Sequence, residues 1–118
     1  MRLFEGRATQ AARAAFWAAF CFTFVMAVLP HPPQVPGQPS DKVQHVAAFA
    51  TLAFLGSLAY PAVRLRSLFV SLSLFGALIE IVQAIPALQR DSDVRDWLAD
   101  TVAAAVVLLV VRWSRSRT

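Results

Sequence analysis

The stretch Glu80–Asp100, EIVQAIPALQRDSDVRDWLAD, breaks an otherwise apolar chain with a run of charge, and the fold turns on how it is read. On a helix Glu80 and Gln83 lie three residues apart and share one face. Asp93, Asp96 and Asp100 follow at i, i+3 and i+7, which puts them on one helical stripe. Arg90, Asp91 and Arg95 complete a polar turn between the two segments. A purely structural membrane segment avoids such residues, because an ionisable group near the bilayer centre costs about 2.5–3.5 kcal/mol on insertion scales. Charge placed there must face inward and be compensated.

The rest of the composition makes the membrane the leading environment. Of the 118 residues 58% are hydrophobic and 15% charged, and the mean hydropathy is +0.57, beyond what a soluble domain of this size buries. Several runs approach the roughly 20 residues that span a bilayer, and one domain is expected. A net charge of +4 and a pI near 10.6 would suit nucleic acid. However, ten of the eleven basic residues are arginines set mostly at the ends of apolar runs, a pattern that orients membrane proteins and gives no nucleic-acid stripe. The lone Cys21 has no intrachain partner and reads as a buried, inert thiol.

Outward from the central stretch, the chain divides into a basic N-terminal flank (1–13), a membrane domain (14–113) and a basic tail (114–118). Residues 1–13 carry Arg2, Arg7 and Arg13 against Glu5, either a charged flank or a short amphipathic helix lying on the membrane. The first span, about 14–29, has no small-x-small cleavage site before Pro30, so a retained helix is expected over a cleaved signal peptide. Its Phe16, Trp17, Phe20, Phe22 and Phe24 read as lipid or packing contacts. Residues 30–39 hold five of the seven prolines, which excludes a helix and makes an extended connection around His31. Ser40 or Asp41 offers an N-cap for a second span, 43–60, stopped by Pro61. Arg64 and Arg66 form a basic link. A third span, 67–88, bends or ends near Pro86, and a fourth, 96–111, ends at interfacial Trp113. Gly56 and Gly76 let helices approach closely.

With the N-terminus cytoplasmic, Arg2, Arg7, Arg13, Arg64, Arg66, Arg112, Arg115 and Arg117 lie inside, eight of the eleven basic residues. The positive-inside rule therefore predicts an all-α bundle of four transmembrane helices in the cytoplasmic (inner) membrane, both termini inside. The outer helix ends then collect Asp41, Lys42, His45, Glu80, Gln83, Arg90, Asp93, Asp96 and Asp100. With a third span reaching Leu88, Glu80 would lie about 12 Å from its helix end, and His45 and Asp100 about 6 Å below Asp41 and Asp96.

The chemistry open to this set is bounded. His45, Glu80, Asp96 and Asp100 are hard-to-borderline donors suited to a divalent metal. Alternatively His45 acts as a general base oriented by Asp41 or Asp100, while Arg90 or Lys42 holds a phosphate or carboxylate. A structural reading stands beside both: Asp41 caps, Lys42 snorkels, and His45, Glu80 and Gln83 fix helix register by hydrogen bonds. The chain has no His-Glu-x-x-His, nucleophile elbow, phosphate-binding glycine loop or paired cysteines.

In order and spacing, Asp41-Lys42-x-x-His45, Glu80-x-x-Gln83, Arg90, Asp93, Asp96 and Asp100 resemble the polar signature of the VanZ-like family of small integral membrane proteins, over about 41–111. Two positions depart from it: Asp100 stands where the family usually has Asn, and Ala103 where it has Gly. The family is named for a member linked to resistance to teicoplanin, a glycopeptide antibiotic that acts at the outer surface of the cytoplasmic membrane. The resemblance implies a place, the cell envelope, more than a reaction; the leading expectation is an outward-facing pocket that engages a lipid head group, glycolipid or cell-wall precursor, with Asp41, Lys42, Gln83, Arg90, Asp93 and Asp100 binding. Two readings remain beside it. One is a membrane-embedded hydrolase or transferase on a phosphate- or glycan-bearing lipid, with His45, Glu80 and Asp96 catalytic. The other is a small structural or assembly subunit.

Overall fold

The computed structural model describes residues 2–29, 41–88 and 94–117, except for the side chains of 2–5, 41, 42 and 88. Over these residues the chain is all-helical: α1 (Arg2–Val28), α2 (Asp41–Ala59), α3 (Leu65–Gln83), a single 3-10 turn (Pro86–Leu88) and α4 (Val94–Ser116). At about 1.5 Å per residue α2 and α3 are roughly 28 Å long, close to the thickness of a bilayer's hydrocarbon core, while α1 reaches about 40 Å. Two of the helical segments, Gly6–Val28 and Leu65–Gln83, are long and apolar enough to cross a membrane, and Val43–Ala59 is a shorter apolar helix.

Side-chain contacts between the helices fix the topology. Arg13 of α1 reaches the Ala59 carbonyl of α2 at 2.8 Å, so these two run antiparallel. Arg115 reaches Ser57 at 2.9 Å and His45 lies 3.4 Å from Asp100, so α2 and α4 are parallel neighbours. Trp97 donates to the Ser73 carbonyl at 3.0 Å, which sets α3 antiparallel to α4. Around the bundle the order is α1, α2, α4, α3, with lesser α1–α3 contacts closing it.

The core is an aromatic stack with small residues around it. Phe75 of α3 stacks on Phe20 of α1 at a centroid distance of 4.0 Å and on Phe49 of α2 at 5.7 Å, tying three helices together. Phe24 completes the group, whereas Trp17 and Phe22 lie on the exterior. The two glycines sit where helices touch. A Cβ on Gly56 would come 2.9 Å from a Leu68 methyl. One on Gly76 would come 3.3 Å from Trp97 and 3.4 Å from Asp100 Oδ2. The buried set also holds polar side chains, and large apolar ones lie outside. Phe22, Phe54, Leu74, Ile81, Leu109 and many similar residues on all four helices are exposed, while His45, Ser57, Glu80, Gln83, Asp96 and Asp100 are buried.

Two expectations are corrected. The third helix does not continue to Leu88. Pro86 lacks the N–H that Val82 would need, and its ring disfavours helical geometry at Ile85. The α-helix therefore stops at Gln83, the Ala84 N–H is shared between Glu80 and Ile81 carbonyls, and Ile85 bonds Val82 at 3.0 Å. Glu80 thus lies one turn from its helix end, nearer the boundary than a span to Leu88 implies. Secondly, Cys21 is exposed on the outer face of α1 and not buried. Residues 2–13 are helical and continuous with α1, as 114–116 are with α4.

At the far end from Glu80, arginines finish α2. Pro61 has no N–H to offer the last carbonyls, so Arg13 takes Ala59 and Arg115 takes Ser57. Cations at a helix C-terminus are also favoured by the helix dipole. Arg13 further lies over the Tyr60 ring at 4.7 Å, and the Tyr60 hydroxyl accepts from Trp17 Nε1 at 2.7 Å.

Candidate functional site

The opposite end of the bundle, built from the last turns of α1 and α3 and the first turns of α2 and α4, gathers the buried polar residues. His45 enters one turn into α2, Glu80 comes from the last turn of α3, and Asp96 from the first turn of α4. One ligand-type atom from each of these three lies within 4.8 Å of the other two. All three are at least nine-tenths buried. They are 35 and 16 residues apart in sequence, so only the folded bundle brings them together.

Asp100 lies one turn further along α4, beneath this triangle. Its carboxylate is completely buried and Oδ1 stands 3.4 Å from His45 Nδ1. The i, i+4 spacing from Asp96 puts both aspartates on the face that α4 turns to α2 and α3. Gly76 makes room there, since any side chain on it would press on Asp100 and Trp97. Ala103, another turn down the same face, is also buried.

Gln83 shares its face of α3 with Glu80 and is 1% exposed. Its Nε2 donates to the Ala27 carbonyl at 2.8 Å, tying the end of α3 to the last turn of α1. Its Oε1 has no hydrogen-bond partner among the described residues. Below, Ser73 and Thr101 hydroxyls meet at 3.2 Å and Trp97 donates to the Ser73 carbonyl, which fixes α4 against α3 under the site.

Of the expected residues, the structure therefore brings together His45, Glu80, Asp96 and Asp100, with Gln83 on the same helix face as Glu80. Asp41 and Lys42 lie in the first turn of α2, but their side chains fall outside the described residues. Arg90, Asp91, Asp93, His31 and Ser40 also lie outside them. Arg95 is exposed on α4. Sequence reasoning missed the supports. Nothing in the sequence marks the Ala27 carbonyl as Gln83's partner. Gly76, four residues before Glu80 on its helix, could be seen as a packing glycine but not as the clearance for Asp100.

Chemically, one imidazole and two carboxylates on three helices, with a third carboxylate 3.4 Å from the imidazole, form an acceptor-rich cluster. It suits a cation, a proton or a hydrogen-bond donor. No family model matches the chain, and no curated protein or solved structure matches it.

Proposed function

We propose that the chain is a VanZ-like protein of the cell envelope, spanning the cytoplasmic membrane four times with both termini inside. Its polar cluster opens at the outer face and engages a lipid head group, glycolipid or cell-wall precursor. The observation that carries this reading is the burial of His45, Glu80, Asp96 and Asp100 together at one end of a bundle whose exterior is apolar. Several ionisable groups in one membrane-embedded cluster are a costly way to obtain helix register alone, and intramembrane ionisable residues are by default functional-site candidates.

Several features support the four-span arrangement. Exposed apolar side chains run along α2 and α4 as well as along the two more apolar helices. α1 contributes Phe16 and Ala27 to the core and its Ala27 carbonyl to Gln83, contacts a cleaved leader would forfeit. Arg64, Arg66, Arg112, Arg115 and Arg117 gather with Arg7 and Arg13 at the end away from the cluster, which the positive-inside rule assigns to the cytoplasm. The hydrolase reading draws on the same triangle, since a histidine beside two carboxylates is also acid–base equipment.

The test is thermal stability of detergent-purified protein titrated with phosphatidylglycerol, a lipid-linked disaccharide or a muramyl pentapeptide, beside His45→Ala and Glu80→Gln. Selective stabilisation of the wild type, lost in both variants, is the expected result. Variants that are merely less stable, with no ligand stabilising the wild type, would return the cluster to architecture. Topology is tested separately in a Cys21→Ala background. A cysteine replacing Arg64 should label only from the cytoplasmic side, and labelling from outside reverses the arrangement.

A further inference from the structure

We propose that His45, Glu80 and Asp96 hold one divalent transition-metal ion, of the zinc or manganese kind, and that this ion receives the anionic oxygen of the bound head group. The second half rests on the head-group reading above; the first half does not.

The donor set itself points to the metal. An imidazole nitrogen with two carboxylates is a borderline set. All-oxygen sites suit magnesium or calcium, and thiolates suit copper(I), whereas mixed imidazole–carboxylate sets suit zinc and manganese. The chain's one thiol, Cys21, faces outward from α1. Zinc bonds of about 2.0–2.2 Å place tetrahedral ligand atoms roughly 3.3 Å apart. The three donors lie within 4.8 Å of one another, so small side-chain rotations of about 1.5 Å at most close them on an ion.

Two further observations fit an ion better than a bare hydrogen-bond network. Asp100, fully buried and 3.4 Å from His45 Nδ1, stands where a carboxylate orients a metal-ligating histidine. With a small rotation Asp100 would accept from Nδ1–H, leaving Nε2 for the ion and raising the ligand's basicity. The second is Gln83, whose Oε1 is buried, has no hydrogen-bond partner among the described residues and lies on the Glu80 face of α3. It is the kind of acceptor that takes a metal-bound water or a head-group hydroxyl. Three protein ligands leave a zinc ion with an open coordination position, and the site lies at the helix ends, within reach of a phosphate oxygen at the membrane surface.

The experiment uses the full chain in detergent, stripped with EDTA, dialysed and re-equilibrated with zinc, manganese or magnesium chloride. Bound metal is then counted by mass spectrometry and affinity measured by calorimetry. The expected result is one zinc or manganese ion per chain, with magnesium failing to displace it at a hundredfold excess. His45→Ala and Glu80→Gln should each weaken binding at least about 100-fold. Asp100→Asn keeps all three ligands and should weaken it about 10–100-fold, an effect a purely packing role would not give. If His45→Ala fails to fold, Asp96→Asn takes its place. No retained ion, or an ion retained equally by these variants, overturns the metal site. Inorganic phosphate and phosphatidylglycerol micelles are then titrated with and without metal. Binding that needs the metal supports the bridging role. Binding indifferent to the metal overturns the bridge and leaves the head-group reading standing. A metal-loaded protein that binds neither probe overturns the head-group reading while the metal site stands.

Discussion

The contact between His45 and Asp100 offers the sharpest test of the site's architecture. With the charges 3.4 Å apart, full ionisation at an effective dielectric of 20 gives a gross attraction of about 5 kcal/mol. Desolvation offsets most of it, as it does for buried pairs generally. Interhelical hydrogen bonds inside membrane bundles couple by about 0.6 kcal/mol on average and at most about 1.7, and charge assistance roughly doubles such a bond. The expected net coupling is therefore about 1.5–3 kcal/mol. Removing the imidazole alone, by His45→Ala, leaves a fully buried carboxylate short of one contact and should cost about 3 kcal/mol. Asp100→Asn keeps the shape and loses the charge, and should cost about 1–2 kcal/mol. The double variant should cost clearly less than the sum. The assay is reversible unfolding in mixed micelles by SDS titration, in EDTA so that no metal contributes, on wild type, both single variants and the double variant. Additivity to within about 0.5 kcal/mol, the range for independent sites, would refute the claim that the two side chains act as a pair.

Three further outcomes are expected. Phe75→Ala should destabilise the bundle by about 2–3 kcal/mol in micelles, because the roughly 100 Å³ removed leaves a cavity between α1, α2 and α3, while the water-transfer part of the cost is missing when the unfolded helices remain in an apolar phase; a loss under about 1 kcal/mol in the SDS titration would contradict the stacking. Arg13→Ala and Arg115→Ala should each cost about 1 kcal/mol by removing a donor from the end of α2, and hydrogen exchange should speed up at residues 57–60 and not around His45; unchanged exchange there would contradict the capping role. In intact vesicles Cys21 should resist an aqueous maleimide and react once SDS is added, since in the proposed arrangement the outer face of α1 meets lipid; rapid labelling without detergent would place α1 in water.

Much of the fold could be read from the sequence because its strongest signals are local. The apolar runs and the prolines at 61 and 86 marked out the helices, and the spacing of Glu80 with Gln83 and of Asp96 with Asp100 put each pair on one buried face. What was misjudged depended on tertiary or backbone terms. Apolar character continues past Gln83 to Leu88, so hydropathy alone extends the third helix, whereas the missing Pro86 N–H and the ring's pressure on Ile85 end it earlier. Cys21 sits in a run apolar on every side, where periodicity cannot choose the inner face. The juxtaposition of His45 with Asp100 depends on α2 and α4 running side by side in parallel, an arrangement that no local pattern encodes. The arginine caps on α2 and the bond from Gln83 end on backbone carbonyls, which have no residue-type signature.

The parallel pairing of α2 with α4 has a consequence for how the protein is made. α4 brings Asp96 and Asp100 into the bundle from its first two turns, and in the proposed four-span arrangement these carboxylates oppose its entry into lipid alone, by less than the roughly 2.5–3.5 kcal/mol of an aspartate at a helix centre. Its complement, His45, is on a helix synthesised some fifty residues earlier, with all of α3 between. In that arrangement His45 and Glu80 would wait in the bilayer without the aspartates during biogenesis, and α4 would enter most favourably where they already stand. Insertion of the last helix and completion of the polar cluster are then one event. A chain truncated before Val94 would then retain three helices and leave His45 and Glu80 without Asp96 and Asp100, a state that membrane quality control can recognise.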